Sequence, residues 1–324
     1  MKKYVWLTYD NTKKKEYYKR LREKIFKAGL NGIMLNNTTD NSVISFFKSI
    51  GIEVHIWFIA LLNKNENLQK EHPEWFMVNG YDKSSLKNPA YVDYYKWLCP
   101  SRLEVRNYLK TGVNRLLEKN IDGLHLDYIR YPDVFLPSEL QKKYGITQNE
   151  VKPEYDYCYC EKCRSEFQEK FGKDPLKEIE KKFQKRDWLN YRLKKVNSLV
   201  KEIAEDCRKK TKRISAAVFP NPEMARKSVR QEWDKWKLDA YFPMLYHNFY
   251  GENIDWIGKQ VDKCRDMVDQ DAYIVAGVFM ESVESQELKS IAEKVLENNG
   301  KGLCFFDAES IKDSQWQAIK EMGK

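Results

Sequence analysis

The chain reads as an α/β protein, a single (β/α)8 barrel with two long loop insertions, after the third and fourth strands. Two observations predict this. Along 324 residues, eight short apolar runs of strand length alternate with stretches of helical period, and that alternation pairs strands in parallel. No Gly-, Pro- or Ser-rich linker divides the series, so residues 1–324 are expected to form one domain. Eight units at this length suit a closed ring better than an open sheet.

The first strand is expected at 4–10, followed by a lysine-rich helix at 12–28 closed by Gly29. Residues 32–37 form a short second strand ending in two asparagines, and a helix at 41–49 stops before Gly51. The third strand spans 52–62, with His55 and Trp57 on one face. Residues 63–100 are too many for a bare connection and hold Trp75, Tyr81, Tyr91, Tyr94, Tyr95 and Trp97, so they read as an insertion over the barrel mouth. A helix at 102–119 feeds the fourth strand. The second insertion covers about 132–185. A helix at 187–210 follows, with Leu189, Leu193, Val196, Val200 and Ile203 at helical spacing. The fifth strand is placed at 214–220, with a loop at 221–224 and then a helix carrying Trp233 and Trp236. Strands six, seven and eight fall at 240–247, 273–280 and 302–306, with helices at 253–268, 286–298 and 311–322.

Composition narrows the class. Hydrophobic residues make up 42% of the chain, enough for a large core. Aromatics reach 14%, with 9 Trp and 20 Tyr, an excess that suits a cleft for sugars. The net charge of +9 is spread over helical surfaces with no compact basic arm, which argues against nucleic acid as a partner. No apolar run approaches the ~20 residues of a membrane span. Met1-Lys2-Lys3 leads straight into a strand, so no signal peptide is expected, and seven cysteines, an odd number, favour a reducing, cytoplasmic setting over a disulfide scaffold.

The richest stretch is 121–132, Ile-Asp-Gly-Leu-His-Leu-Asp-Tyr-Ile-Arg-Tyr-Pro. Leu124 and Leu126 alternate with Gly123, His125 and Asp127, so one face is apolar and the other carries chemistry. Pro132 prevents further pairing. The segment resembles the Asp-Gly-(Ile/Leu)-His-(Leu/Phe)-Asp-x-x-Arg-Tyr-Pro signature of the family 10 glycosyl-hydrolase-like proteins, which are TIM barrels. More distantly it is similar to the fourth-strand motif of α-amylase-type barrels, where the matching aspartate is the nucleophile. Two other stretches resemble the same family: Asn88-Pro89-Ala90 through Pro100-Ser101, and Pro243-Met244-Leu245-Tyr246. The chitinase motif Asp-Gly-x-Asp-x-Asp-x-Glu fits less well, because Ile129 stands where its glutamate would be. The resemblance implies a glycoside hydrolase acting on an oligosaccharide or polysaccharide.

Glycoside cleavage needs two carboxyl groups flanking the scissile bond. At strand exits the chain offers Asp10, Asp127, Glu223, Glu281, Asp307 and Glu309. Asp127 leads, as nucleophile or general base. Glu281 is the preferred general acid, because Gly277, Phe279 and Glu281 share one side of their strand. Glu223 is the choice by analogy with amylase-type barrels, and Asp307 or Asp10 complete the set. Tyr9, Trp57, Tyr128 and Tyr246 are expected as ring walls for sugar faces. His55, His125 and His247, three of four histidines, lie in or beside strands and are read as donors to sugar hydroxyls. Arg130 braces Asp127 or the loop after it, or else holds an acidic group on the sugar. Two rival readings stand beside this one: a carbohydrate-binding barrel without catalysis, and a metal-dependent hydrolase using the three histidines. The second lacks the His-x-His pair after the first strand that amidohydrolase barrels require.

Cys158-x-Cys160-x-x-Cys163 is a sharper local signal. Three thiols this close fit a loop wrapped on zinc, with Cys99 of the neighbouring insertion as the fourth ligand. The text also resembles cysteine clusters in some barrel glycosidases. Such zinc is expected to be structural, and no cofactor is expected for catalysis. Cys207, Cys264 and Cys304 read as core residues.

Overall fold

The computed structural model describes residues 1–36, 38, 40–177 and 184–322. Eight parallel strands close into a barrel in chain order, β1 pairing with β8. They are β1 Lys2–Thr8, β2 Gly32–Asn36, β3 Glu53–Ile59, β4 Gly123–Asp127, β5 Arg213–Val218, β6 Ala240–Pro243, β7 Tyr273–Phe279 and β8 Gly302–Phe306. The helices are α1 Lys15–Lys27, α2 Asn41–Lys48, α3 Glu66–Glu71, α4 Leu103–Leu117, α5 Ser138–Lys143, α6 Glu161–Phe171, α7 Gln184–Lys209, α8 Pro222–Val229, α9 Ile254–Arg265, α10 Glu287–Glu297 and α11 Asp313–Glu321. No helix among the described residues is long and apolar enough to cross a membrane.

The period-2 alternation of the strands divides the core in two. Val5, Leu7, Ile33, Leu35, Leu124 and Leu126 point outward and pack under the helices. Trp6, Met34, Trp57, Phe242, Val275 and Cys304 fill the lumen. The lumen is crowded where its strands carry glycine, as two positions illustrate. A Cβ on Gly277 would lie 3.3 Å from the Trp6 ring, and one on Gly123 would lie 2.5 Å from His55 Nδ1 and 2.6 Å from the Arg213 carbonyl.

Element ends differ from the sequence expectation where the chain leaves the ring. β3 stops at Ile59, and Leu62 instead bridges antiparallel to Trp97. β6 stops at Pro243, beyond which Met244 and Leu245 keep single contacts to the flanking strands at Val218 and Gly277. β7 stops at Phe279 and tightens into a 3-10 turn, Met280–Ser282. The helix expected to carry Trp233 and Trp236 ends before them, because Arg230 turns left-handed (φ 52°). Trp233 then opens a separate 3-10 turn, Trp233–Lys235, and Trp236 lies past it. The last residue expected in the second strand, Asn37, lies outside the described residues, as do 178–183 of the second insertion.

Two connections are long: 60–102 between β3 and α4, and 128–183 between β4 and α7. They meet each other. Asn79 bridges Tyr157, and the Tyr159 amide donates to the Val78 carbonyl at 2.7 Å.

Candidate active site

A cavity of about 670 Å³ opens at the C-terminal ends of the strands. Its floor is the upper aromatic layer of the lumen, Trp6, Trp57 and Phe306, with ring centroids 5.8–6.5 Å apart. Its walls come from both long connections, with Tyr94 and Tyr95 from the first and Tyr128, Arg130 and Asp133 from the second. Tyr246, Phe249 and Tyr250 close the far side. Such a concave, mostly apolar site with a few convergent polar groups is the usual form of a small-ligand pocket.

Asp127 is the last residue of β4. Strand alternation turns it inward, one layer above His125. Its Oδ2 accepts from the Trp57 indole N–H at 2.9 Å and its Oδ1 from the Tyr128 amide at 2.6 Å. Tyr128 reaches that position in a left-handed conformation (φ 49°). Burial raises the Asp127 carboxyl above the usual carboxylate range, outweighing those two N–H donors and the charge of Arg130, all of which favour the ionised form. A buried carboxyl raised in this way, at the edge of a cavity, is suited to hold a proton and hand it on.

Arg130 braces the loop after β4, through Asp133, rather than Asp127 itself. Its Nη1 lies 3.0 Å from Asp133 Oδ2 and 2.9 Å from the Tyr131 carbonyl. The guanidinium is packed over the rings of Trp97, Phe219 and Tyr128 at 5.0, 5.1 and 5.3 Å. Burial opposes its charge, but Asp133 and neighbouring phenols hold it above its ordinary value. The Tyr95 hydroxyl donates to the same Asp133 oxygen at 3.1 Å. Among the described residues, Asp127 and Asp133 are the two carboxyls that line the cavity.

Several sequence-selected residues lie elsewhere. Glu281 falls in the 3-10 turn after β7, exposed and off the cavity. Strand alternation would have kept it beside Phe279, but the strand has already ended. Glu223 is exposed in the first turn of α8. Asp307 spends its Oδ1 on the Ser310 hydroxyl (2.7 Å) and on the amides of Glu309 and Ser310 (3.1 Å each). Asp10 likewise accepts from Thr12, which lowers its pKa, and Glu309 pairs with Lys13 at 2.9 Å. Tyr9 faces outward against Tyr18, with ring centroids 4.9 Å apart.

The three histidines do not converge. His55 sits at the opposite end of the barrel, 3.1 Å from Glu53. His125 is wholly buried in the lumen, where its Nε2 accepts from the Trp6 indole at 3.1 Å. Its Nδ1 therefore carries the proton and donates to Ser215 Oγ at 2.9 Å. Burial, aided by His55, drops its pKa well below the ordinary value, so it stays neutral. His247 is buried under its own turn and is also lowered by burial, with Glu287 opposing. Among the described residues the histidines supply no metal-binding group. Of the selected residues, Trp57, Asp127, Tyr128, Arg130 and Tyr246 do meet at the cavity. Burial, with Asp127 adding, pushes the Tyr246 phenol well up, so it remains an O–H donor.

Asp133, Asn36 and Thr8, none of them selected from the sequence, line the cavity, as does Tyr95 of the connection expected over the mouth. Asp133 was detectable as the acidic residue three after Arg130. Asn36 ends β2, and its Nδ2 donates to the Trp57 carbonyl at 2.7 Å.

The four selected cysteines do come together. Cys99, Cys158, Cys160 and Cys163 are all buried, with Sγ atoms within 4.8 Å of one another, close enough to hold one ion. None of the four lines the cavity.

Comparison with known proteins agrees with the fold. Among solved structures, the chain is similar to the catalytic domain of a β-amylase from Paenibacillus polymyxa (TM-score 0.65, 11% identity, covering 99% of this chain and 97% of that one). It is also similar to a family 42 β-galactosidase from G. stearothermophilus (0.66, 11%, 99% and 55%), and to α-L-fucosidase isoenzyme 2 from Paenibacillus thiaminolyticus (0.58, 14%, 100% and 49%). The chain thus spans about half the length of the fucosidase. At these identities the likeness is one of fold. No curated protein matches the chain. The model of a family described as "Glycosyl hydrolase-like 10" matches residues 39–289, most of the barrel and both long connections, and the chain belongs to that family.

Proposed function

We propose that the protein is a glycoside hydrolase that cleaves an O-glycosidic bond of an oligosaccharide or polysaccharide in the cavity at the C-terminal face. One observation carries the reading: a buried carboxyl with a raised pKa, Asp127, at the end of β4 and at the floor of an aromatic-lined cavity. In this reading Asp127 is the general acid that protonates the leaving oxygen. Asp133 is the second carboxyl, held by Arg130 and Tyr95 as acceptor or nucleophile. Trp57, Tyr128 and Tyr246 pack against sugar faces, and the Tyr246 hydroxyl serves as a donor. The four-cysteine centre takes no part; an ion there is structural.

The test is turnover. The purified chain is assayed against a range of aryl glycosides and unlabelled oligosaccharides, with calorimetry in parallel. Asp127→Asn should cut turnover by about 10²- to 10⁴-fold, the usual share of an acid–base group, with an unchanged circular dichroism spectrum. Undiminished activity in that variant would remove Asp127 from the mechanism. The commitment of Asp133 to Arg130 favours a second reading, a carbohydrate-binding barrel without catalysis. Saturable binding of an oligosaccharide with no product release would establish it.

A further inference from the structure

We propose that Cys99, Cys158, Cys160 and Cys163 bind one Zn²⁺ as a closed tetrathiolate that pins the two long connections to each other. The proposal stands on geometry and is independent of the glycosidase reading. Zn–S bonds of about 2.3 Å in a tetrahedron place neighbouring sulfurs about 3.8 Å apart. Here Cys99 and Cys163 sulfurs are 3.4 Å apart, and those of Cys160 and Cys99 are 3.7 Å apart. All four lie within 4.8 Å of one another. That is too wide for disulfides, whose sulfurs sit at about 2.05 Å. It is also too tight for an iron–sulfur cluster, which spreads its thiolates over several metal atoms. One tetrahedral ion fits.

A second observation points the same way. Tyr131 is fully buried, and its hydroxyl has no hydrogen-bond partner. The sulfurs of Cys163, Cys99 and Cys158 are its electrostatic neighbours. A buried O–H with no acceptor costs about 1–3 kcal/mol, and a negatively charged tetrathiolate beside it would supply a charge that four neutral thiols do not. Two further groups surround the sulfurs. The Val78 amide donates to Cys158 Sγ at 3.5 Å, and Ser101 Oγ lies 3.2 Å from Cys163 Sγ. Donors around thiolates are the outer shell that orients ligands and offsets their charge. Arg192, whose charge bears on Tyr131, adds a cation to the same neighbourhood.

Binding is an exchange of ions: four Cys–SH groups release four protons as Zn²⁺ forms four Zn–S bonds. Four protein ligands leave no open position, so the site is structural. All-thiolate, tetrahedral ligation selects a soft, d¹⁰ ion over Mg²⁺, Ca²⁺ or Mn²⁺. The topology says what it holds. Cys99 closes the first connection just before α4, while Cys160 caps α6 and Cys163 lies in its first turn. The ion therefore clamps the two segments that supply Tyr95 and Asp133 to the cavity.

The test is metal content of the intact chain, purified without chelator. Elemental analysis should find one zinc per chain. Replacement by Co²⁺ should give the intense visible bands of tetrahedral cobalt–thiolate. Cys158→Ser/Cys160→Ser should abolish the binding, whereas Cys207→Ser should retain it. Tyr131→Phe should keep the stoichiometry. Should the double variant not fold, the zinc stoichiometry and cobalt spectrum of the unaltered chain decide. Zinc well below one per chain, iron in its place, or a cobalt spectrum of oxygen and nitrogen ligands would overturn the proposal.

Discussion

Asp127 is caught between opposing influences. Burial raises its pKa, while the Trp57 N–H, the Tyr128 amide and Arg130 pull it back. Trp57→Phe removes a donor that favours the ionised form, so the carboxyl should rise further. If Asp127 works as the acid, activity is lost as pH climbs through its pKa, and the alkaline limb of the pH–rate profile should therefore move to higher pH in that variant. A limb that stays put would mean that another group sets it. The Arg130–Asp133 pair is buried on both sides, at 7% and 5% side-chain exposure. Removing Arg130 alone, as Arg130→Met, leaves an uncompensated buried carboxylate, with an expected loss of about 3–5 kcal/mol in denaturant unfolding. Arg130→Met/Asp133→Asn should lose less than the sum of the single variants, and simple additivity would show that the two groups do not act as a pair.

At the scale of the element, β4 joins two demands. Leu124 and Leu126 bury its outer face, and His125 and Asp127 point inward. Gly123 begins the strand because β3 and β5 crowd it. Gly123→Ala would set a methyl 2.5 Å from His55 Nδ1 and 2.6 Å from the Arg213 carbonyl, and a backbone atom cannot swing aside. A cost of about 1–3 kcal/mol or more is expected for such overpacking, seen as a lower unfolding midpoint. An unchanged midpoint would mean that the strands have room to spread. The same scale explains the misplaced carboxylates. Alternation predicts side-chain direction only while a strand persists, and β7 ends at Phe279, before Glu281.

For the whole molecule, the barrel and the cavity walls are held by different means. The strands close on themselves through continuous parallel pairing. The walls depend on cross-connections such as Asn79 with Tyr157 and on the four-cysteine centre. Stripping the proposed zinc should therefore speed amide exchange in 60–102 and 128–177 far more than in the strands. Uniform exchange across both would show that the centre does not act as a clamp.

The barrel was legible in the sequence because it repeats. Eight alternations of period 2 and period 3.6 are local signals, and they imply parallel closure whatever the loops do. The inward direction of Asp127 and the pairing of Cys99 with the later cysteines were legible too, the first from alternation and the second from ligand chemistry. Asp133 and the exclusion of Glu281, Glu223 and Asp307 from the cavity were not. Those depend on where strands stop and how two long connections fold over the mouth, which contacts far apart in sequence decide. The sequence by itself therefore determined the ring and the inward direction of Asp127 at its rim. Tertiary structure alone decided what faces that acid, because a side chain beyond the last paired residue takes its direction from its neighbours in space.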